Sequence, residues 1–288
     1  MGTITGQFDR PEVTVALRTI DNVDLHALLL AKPHVPGANP VSGPDIGLVL
    51  APGFSLSTAR AEVLRVARAL ARHAAVLCVD LRGHGRSGGR STLGNLEILD
   101  VDAAVAELRR RGFERVVTCG FSMGGASVIR HAALSGPHPP PSRPAGAPQV
   151  SFPPDAVVAV STTSRWFVRD TPPMRRLHLL VMTRLGRRIA RRYFGVRIDP
   201  KGWEPLPESP IEIIARVAPT PLLMVHGDRD HYLTIDHPRA LAAAAGRPTE
   251  VWEVEGFGHA EIGADAVLLD RIGGHLRTLL AAVPEEGR

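Results

Sequence analysis

Five stretches of this chain carry continuous apolar runs where a half-wetted strand would alternate: IGLVLAP, AAVLCVD, ERVVTCG, DAVVAVS and TPLLMVHG. A strand with one wet face is apolar at every second residue, so a continuous run requires protein against both faces. Between these runs lie segments with helical spacing, among them TARAEVLRVARALARH, NLEILDVDAAVAELRRRG, GGASVIRHAALSG and AVLLDRIGGHLRTLLAAV. Strand–helix alternation places successive strands parallel, with the helices as the covering layers. A strand pair precedes them, EVTVALRTI and VDLHALLLAK around Asp21-Asn22, and EVWEVEG follows as a further strand. The reading is a mostly parallel eight-stranded α/β sheet with helices on both faces, one domain over 1–288.

Two segments interrupt the alternation. Residues 136–154 are Pro-rich and of low complexity, as is the shorter PHVPGANPVSGPD, and both read as exposed loops without catalytic residues. Residues 162–217 are far longer than a crossover between strands needs. They read as a small helical cap over the carboxyl ends of the strands. Within them Leu177, Val181, Leu185 and Ile189 recur every four residues, which predicts one apolar helical stripe. Cys78 and Cys119 both sit in strand runs and read as buried thiols rather than a disulfide. No apolar run approaches the roughly 18 residues of a membrane span. The opening MGTITGQFDR lacks the basic and apolar regions of a signal peptide, so the expected compartment is the cytoplasm.

In open α/β sheets, ligands sit beyond the carboxyl ends of the strands. Ser122 stands there, between ERVVTCG and GGASVIRHAAL, in the pattern Gly120-x-Ser122-x-Gly124. That spacing in a strand–turn–helix context is a nucleophile elbow, and a helix N-terminus beneath the serine favours developing negative charge. Alone, the stretch could also be a Gly-rich turn whose serine caps a helix. A serine needs a base, and the base an orienting acid. TPLLMVHG ends in Gly227-Asp228-Arg229-Asp230, and EVWEVEG ends in Gly256-Phe257-Gly258-His259. Asp228, His226 and His231 stand near the same strand end as Asp230, but only His259 has a separate Gly-flanked loop. The chain order Ser, Asp, His is the one associated with this sheet topology.

With CGFSMGG, HGDRDHY, GFGHAE and DLRGHGRSGG together, the chain resembles the α/β-hydrolase fold family, as a serine esterase- or lipase-like member. The resemblance spans everything except the Pro-rich loop and much of the cap. It implies Ser122 as nucleophile, His259 as general base and Asp230, three residues after Gly227, as orienting acid. It also implies an oxyanion hole from the backbone N–H groups of Met123 and, in the loop Pro52-Gly53-Phe54-Ser55, Phe54. Relatives often have His-Gly at that loop, where Pro52 replaces the His. The implied substrate is a small carboxylic ester or related acyl compound. Thioesterase, acyltransferase and perhydrolase chemistry use the same triad, and a binding module without catalysis is the rival from another class. Serine at this position argues against dehalogenase and epoxide-hydrolase chemistry. No metal or organic cofactor is implied. Gly83-His84-Gly85-Arg86-Ser87-Gly88 matches a dinucleotide fingerprint in spacing only, since it follows several earlier strands and precedes the elbow strand.

The net charge is +5, and Lys32 and Lys201 are the only lysines, so the positive charge is almost all arginine. Between Arg165 and Arg197 there are ten arginines and one acid, Asp170. This reads first as a solvated outer face of the cap, and second as a contact for an anionic membrane surface or an anionic substrate group. Nucleic-acid binding is not expected, because no recognised module or aromatic interleaving accompanies the charge. Trp166, Phe167 and the apolar stripe point to a hydrophobic acyl or alkyl group in the substrate.

Overall fold

A computed structural model describes residues 12–30, 46–135 and 149–282. The loop expected over 33–45 and most of the Pro-rich segment expected over 136–154 lie outside the described residues. The chain opens with β1 (Glu12–Arg18) and β2 (Asp24–Leu30), an antiparallel pair. There follow β3 (Ile46–Ala51), α1 (Ala61–Leu70), β4 (Ala75–Val79), α2 (Glu97–Arg110), β5 (Arg115–Phe121), α3 (Met123–Ser135) and β6 (Ala156–Val160). Next come α4 (Pro172–Met182), α5 (Arg184–Ile189) running into a π turn (Ala190–Phe194), and α6 (Pro210–Ile213) with a 3-10 turn (Ile214–Val217). The chain closes with β7 (Leu222–Gly227), α7 (Asp236–Ala244), β8 (Thr249–Val254), α8 (Ala260–Gly263) and α9 (Ala266–Ala281).

Among the described residues, eight strands form one sheet in the order β1-β2-β4-β3-β5-β6-β7-β8. β2 pairs antiparallel with β1 and β4, and every pair from β4 to β8 is parallel. The continuous apolar runs are explained by the two layers that cover them. Val49 and Ala51 of β3 pack with Ile98, Val105 and Ile129 of α2 and α3 on one face. Leu48 and Leu50 pack with Val66, Leu70, Leu269 and Ile272 of α1 and α9 on the other. The central strands therefore have no wet side, and alternation of polarity would have been destabilising there.

The same register separates the two thiols. Leu50 pairs with Cys78 on one side and with Cys119 on the other, so the cysteines are two strands apart. Both are free and buried, and burial pushes both thiols up from their ordinary range.

Residues 162–217 join β6 to β7 and build a small apolar cluster of Val181, Ala190, Val196 and Ile198 with Leu93. Arg130 of α3 holds the segment to the sheet domain. Its guanidinium donates to the Gly94, Asn95 and Glu208 carbonyls at 2.8, 2.9 and 3.0 Å. The single helical stripe expected there does not form. Thr183 is extended (ψ 151°), ending α4, and its side chain accepts from the Gly186 N–H to start α5 on a new phase. Val181 stays buried, whereas Leu185 and Ile189 turn outward at 67% and 38% exposure. The described end of the Pro-rich segment is also not a loose loop: Val150 is buried, and Ser151 and Phe152 donate their N–H groups to Asp102, each at 2.9 Å.

The glycine segment 83–88 has a structural part. Arg82 is buried and ion-paired with Asp100 and Asp21, each at 2.8 Å. Asp80 fills the turn by accepting from the Thr58 N–H at 2.6 Å and the Arg86 N–H at 3.0 Å. No helix of the described residues is long and apolar enough to cross a membrane.

The thiol geometry makes a prediction. In the native protein neither Cys78 nor Cys119 should react with an aromatic disulfide reagent, and both should react after denaturation, counted as released thiolate. Rapid titration of one native thiol would contradict the described packing.

Candidate active site

β5 runs directly into α3, and the residue at the junction, Ser122, has φ 51°. That is the left-handed region, which costs a residue with a Cβ on the order of 1–3 kcal/mol. The strand and helix meet so closely that a Cβ on Gly120 would overlap the Gly124 carbonyl group, and one on Gly124 would overlap the Ala51 carbonyl oxygen. The two glycines of the pattern are thus required by backbone approach. The strained turn is held by the Ser122 N–H donating to the Val160 carbonyl at 2.8 Å.

The structure brings the two expected partners to this serine. His259 Nε2 lies 3.1 Å from Ser122 Oγ, and His259 Nδ1 lies 2.7 Å from Asp230 Oδ2. With the Nδ1 proton donated to the carboxylate, Nε2 is left as an acceptor for the serine hydroxyl. Asp230 Oδ1 accepts from the Tyr232 and Leu233 N–H groups at 2.9 and 3.0 Å. Burial pushes the Asp230 carboxyl up, but the His259 hydrogen bond and charge, with the Leu233 amide, outweigh it and hold the group below its usual range.

The other candidates take supporting places. Asp228 accepts from the Gly256 N–H at 2.7 Å and so braces the loop that carries His259. His226 donates from Nε2 to the Leu233 carbonyl at 3.0 Å and stays 3.7 Å from Asp230. His231 stacks on Tyr232, and Tyr232 stacks on His259 with centroids 4.7 Å apart. Tyr232 carries no signal of this contact in the sequence, because the stacking depends on how the β7 and β8 loops meet.

Phe54 and Met123 both line the cavity that Ser122 and His259 open into. Met123 begins α3, where helical amides lack intrahelical acceptors. No acceptor among the described residues engages the Phe54 N–H. Its neighbour is anchored: the Gly53 N–H donates to Glu261 Oε1 at 2.7 Å. Glu261, two residues after His259, is buried, and its Oε2 has no hydrogen-bond partner. Burial pushes its carboxyl up, with the Gly53 amide opposing. Sequence reasoning missed this residue. Its one available signal is a lone acid in an otherwise apolar and small stretch, GFGHAEIGA.

The cavity has a volume of about 700 Å³, within the range of small-molecule sites. Phe54, Trp166, Phe167, Leu177, Leu180 and Val181 give it an apolar wall, five of the six coming from the 162–217 segment. Among the described residues no group of His, Cys, Asp and Glu is placed to hold a metal ion.

A sequence model of the alpha/beta hydrolase family matches residues 48–271. No curated protein matches the chain. Among solved structures, the esterase Pf2001 of Pyrococcus furiosus is similar over 97% of this chain and 98% of its own, at 20% identity and a TM-score of 0.64. The alpha/beta hydrolase GrgF of Penicillium sp. sh18 covers 95% of this chain and 99% of its own, at 18% identity and a TM-score of 0.66. The esterase domain of a Rhodothermus marinus protein covers 95% and 100%, at 18% identity and a TM-score of 0.58. At such identities the likeness is one of fold.

Glu261 generates a prediction with a definite sign. A buried carboxyl with a raised pKa keeps its proton in the native state over a window where the unfolded chain, near ~4.3, releases it. Its contribution to stability therefore falls as pH rises through that window. Glu261→Gln keeps an acceptor for Gly53 and has no proton to lose. Its Tm relative to wild type should become more positive from about pH 4 upward before levelling. A pH-independent difference in paired melting curves contradicts this. Glu261→Ala should instead cost about 2–4 kcal/mol in denaturant unfolding, from the cavity and the unpaired amide.

Proposed function

The chain belongs to the alpha/beta hydrolase family, and we propose that it is a serine hydrolase that cleaves a carboxylic ester or related acyl bond through an acyl-enzyme. One observation carries this reading. A single imidazole bridges a strained serine and a buried carboxylate, at 3.1 Å and 2.7 Å.

The chemistry follows from the atoms. Ser122 Oγ attacks the acyl carbon as its proton passes to His259 Nε2. Asp230 fixes the tautomer through Nδ1 and stabilises the imidazolium that forms. The carbonyl oxygen becomes an oxyanion beside the Phe54 and Met123 N–H groups, a type of contact worth about 3–4 kcal/mol per donor. Collapse expels the alcohol, which takes the proton from Nε2. Water, deprotonated by the same nitrogen, then releases the acid and restores Ser122.

The 162–217 segment is proposed as a cap that walls the cavity and sets substrate preference. Its Trp166, Phe167, Leu177 and Leu180 make an apolar lining suited to an acyl or alkyl chain. Burying each added methylene is worth up to about 0.8 kcal/mol, roughly fourfold in kcat/KM.

A fluorophosphonate probe should label the wild-type protein, and Ser122→Ala should lose the label and on the order of 10⁶ in kcat. Asp230→Asn should lose on the order of 10⁴, measured on the same ester. Undiminished labelling of Ser122→Ala sinks the assignment. Across a p-nitrophenyl ester series, kcat/KM should climb from acetate to medium-chain esters, and a maximum at acetate would contradict the role given to the apolar wall.

A further inference from the structure

The 162–217 segment carries a second feature that the cavity does not use. Because Thr183 breaks the helix, α5 turns Leu185 outward and, four residues on, Ile189. α4 turns out Leu179 and Met182, and the π turn exposes Tyr193 at 72%. Large apolar side chains in such numbers on one segment mark a contact surface rather than scatter.

Arginines accompany them. Arg184, Arg187, Arg188 and Arg191 recur at spacings of three and four along α5 and its π turn. With Arg90 and Arg197 they line a cleft of about 170 Å³ in which no carboxylate takes part. Part of this wall is fixed in place. Arg187 donates to the Met182 carbonyl at 3.0 Å, and Arg197 donates to the Gly89 carbonyl at 3.3 Å. Of the ten arginines between 165 and 197, only Arg165 pairs with a carboxylate among the described residues, Asp170 at 2.7 Å. Six guanidinium groups around one cleft repel each other, and a phosphate entering it would offset that repulsion.

We propose that this face docks on an anionic phospholipid bilayer, with lipid phosphates against the arginine cleft and Leu185, Ile189 and Tyr193 in the interfacial layer. An arginine row beside outward apolar residues is the make-up of a helix lying in a membrane interface. Free phosphate or nucleic acid would engage the charge but leave Leu185 and Ile189 in water. The face also adjoins the large cavity, since Phe194 of the same turn is part of that cavity's lining.

Sedimentation of the full chain with vesicles tests this. Vesicles containing phosphatidylglycerol should bind it, pure phosphatidylcholine vesicles should bind roughly tenfold less, and added salt should release it. The exposed-site variant Arg184→Gln/Arg188→Gln/Arg191→Gln should lose roughly tenfold or more in vesicle affinity. Leu185→Ser/Ile189→Ser should weaken binding severalfold through lost apolar insertion. Matching circular dichroism and melting curves would show that both variants keep the fold. Equal binding to the two vesicle types, no binding to either, or wild-type affinity in either variant overturns the proposal. So does binding of inorganic phosphate or duplex DNA without vesicle binding.

Discussion

The arrangement depends on one backbone constraint, the left-handed turn at Ser122 where β5 passes into α3. A serine does not hold that conformation unaided, because the cost is on the order of 1–3 kcal/mol. It is held here because β5 is a central strand, paired with β3 on one side and β6 on the other. The Val160 carbonyl fastens the Ser122 amide, and the glycines at 120 and 124 let the helix close over the strand end. The hydroxyl is then presented above the sheet with the α3 N-terminus beneath it. Every other group at the site is placed by reaching toward that fixed point.

The loops that reach it come from β3, β7 and β8, and a carboxylate holds each. Asp230 gathers the Tyr232 and Leu233 amides, Asp228 the Gly256 amide, and Glu261 the Gly53 amide. Two of these carboxyls are shifted in opposite directions for a countable reason. Asp230 receives an imidazole and two amides, which outweigh its burial. At Glu261 the Gly53 amide and its own amide oppose burial without outweighing it, and Oε2 has no partner. In the proposed reaction the charged Asp230 stabilises the imidazolium.

Much of this was legible from residue order alone. The continuous runs in β3 to β7 encode two-sided burial, and each catalytic candidate stands just past a strand, where the topology brings the ends together. The illegible parts share a physical character. Glu261 looks like a surface acid on a short helix, and it is buried only because distant parts of the chain close on it, among them the Gly53 loop and Arg65 of α1. The repeat of Leu177, Val181, Leu185 and Ile189 has helical spacing throughout, yet Thr183 caps a new helix and shifts its phase. Val150 lies in a Pro-rich stretch whose docking depends on Asp102 accepting two distant amides. Local spacing carries no record of such long-range partners.

The central claim is that Ser122 becomes covalently acylated. Rapid-quench mass spectrometry of the intact protein mixed with a p-nitrophenyl ester tests it most directly. The account predicts a burst of one p-nitrophenolate per chain, with the acyl mass on the peptide containing Ser122. An acyl group on another residue, or turnover with substrate in excess that shows neither burst nor adduct, would contradict it.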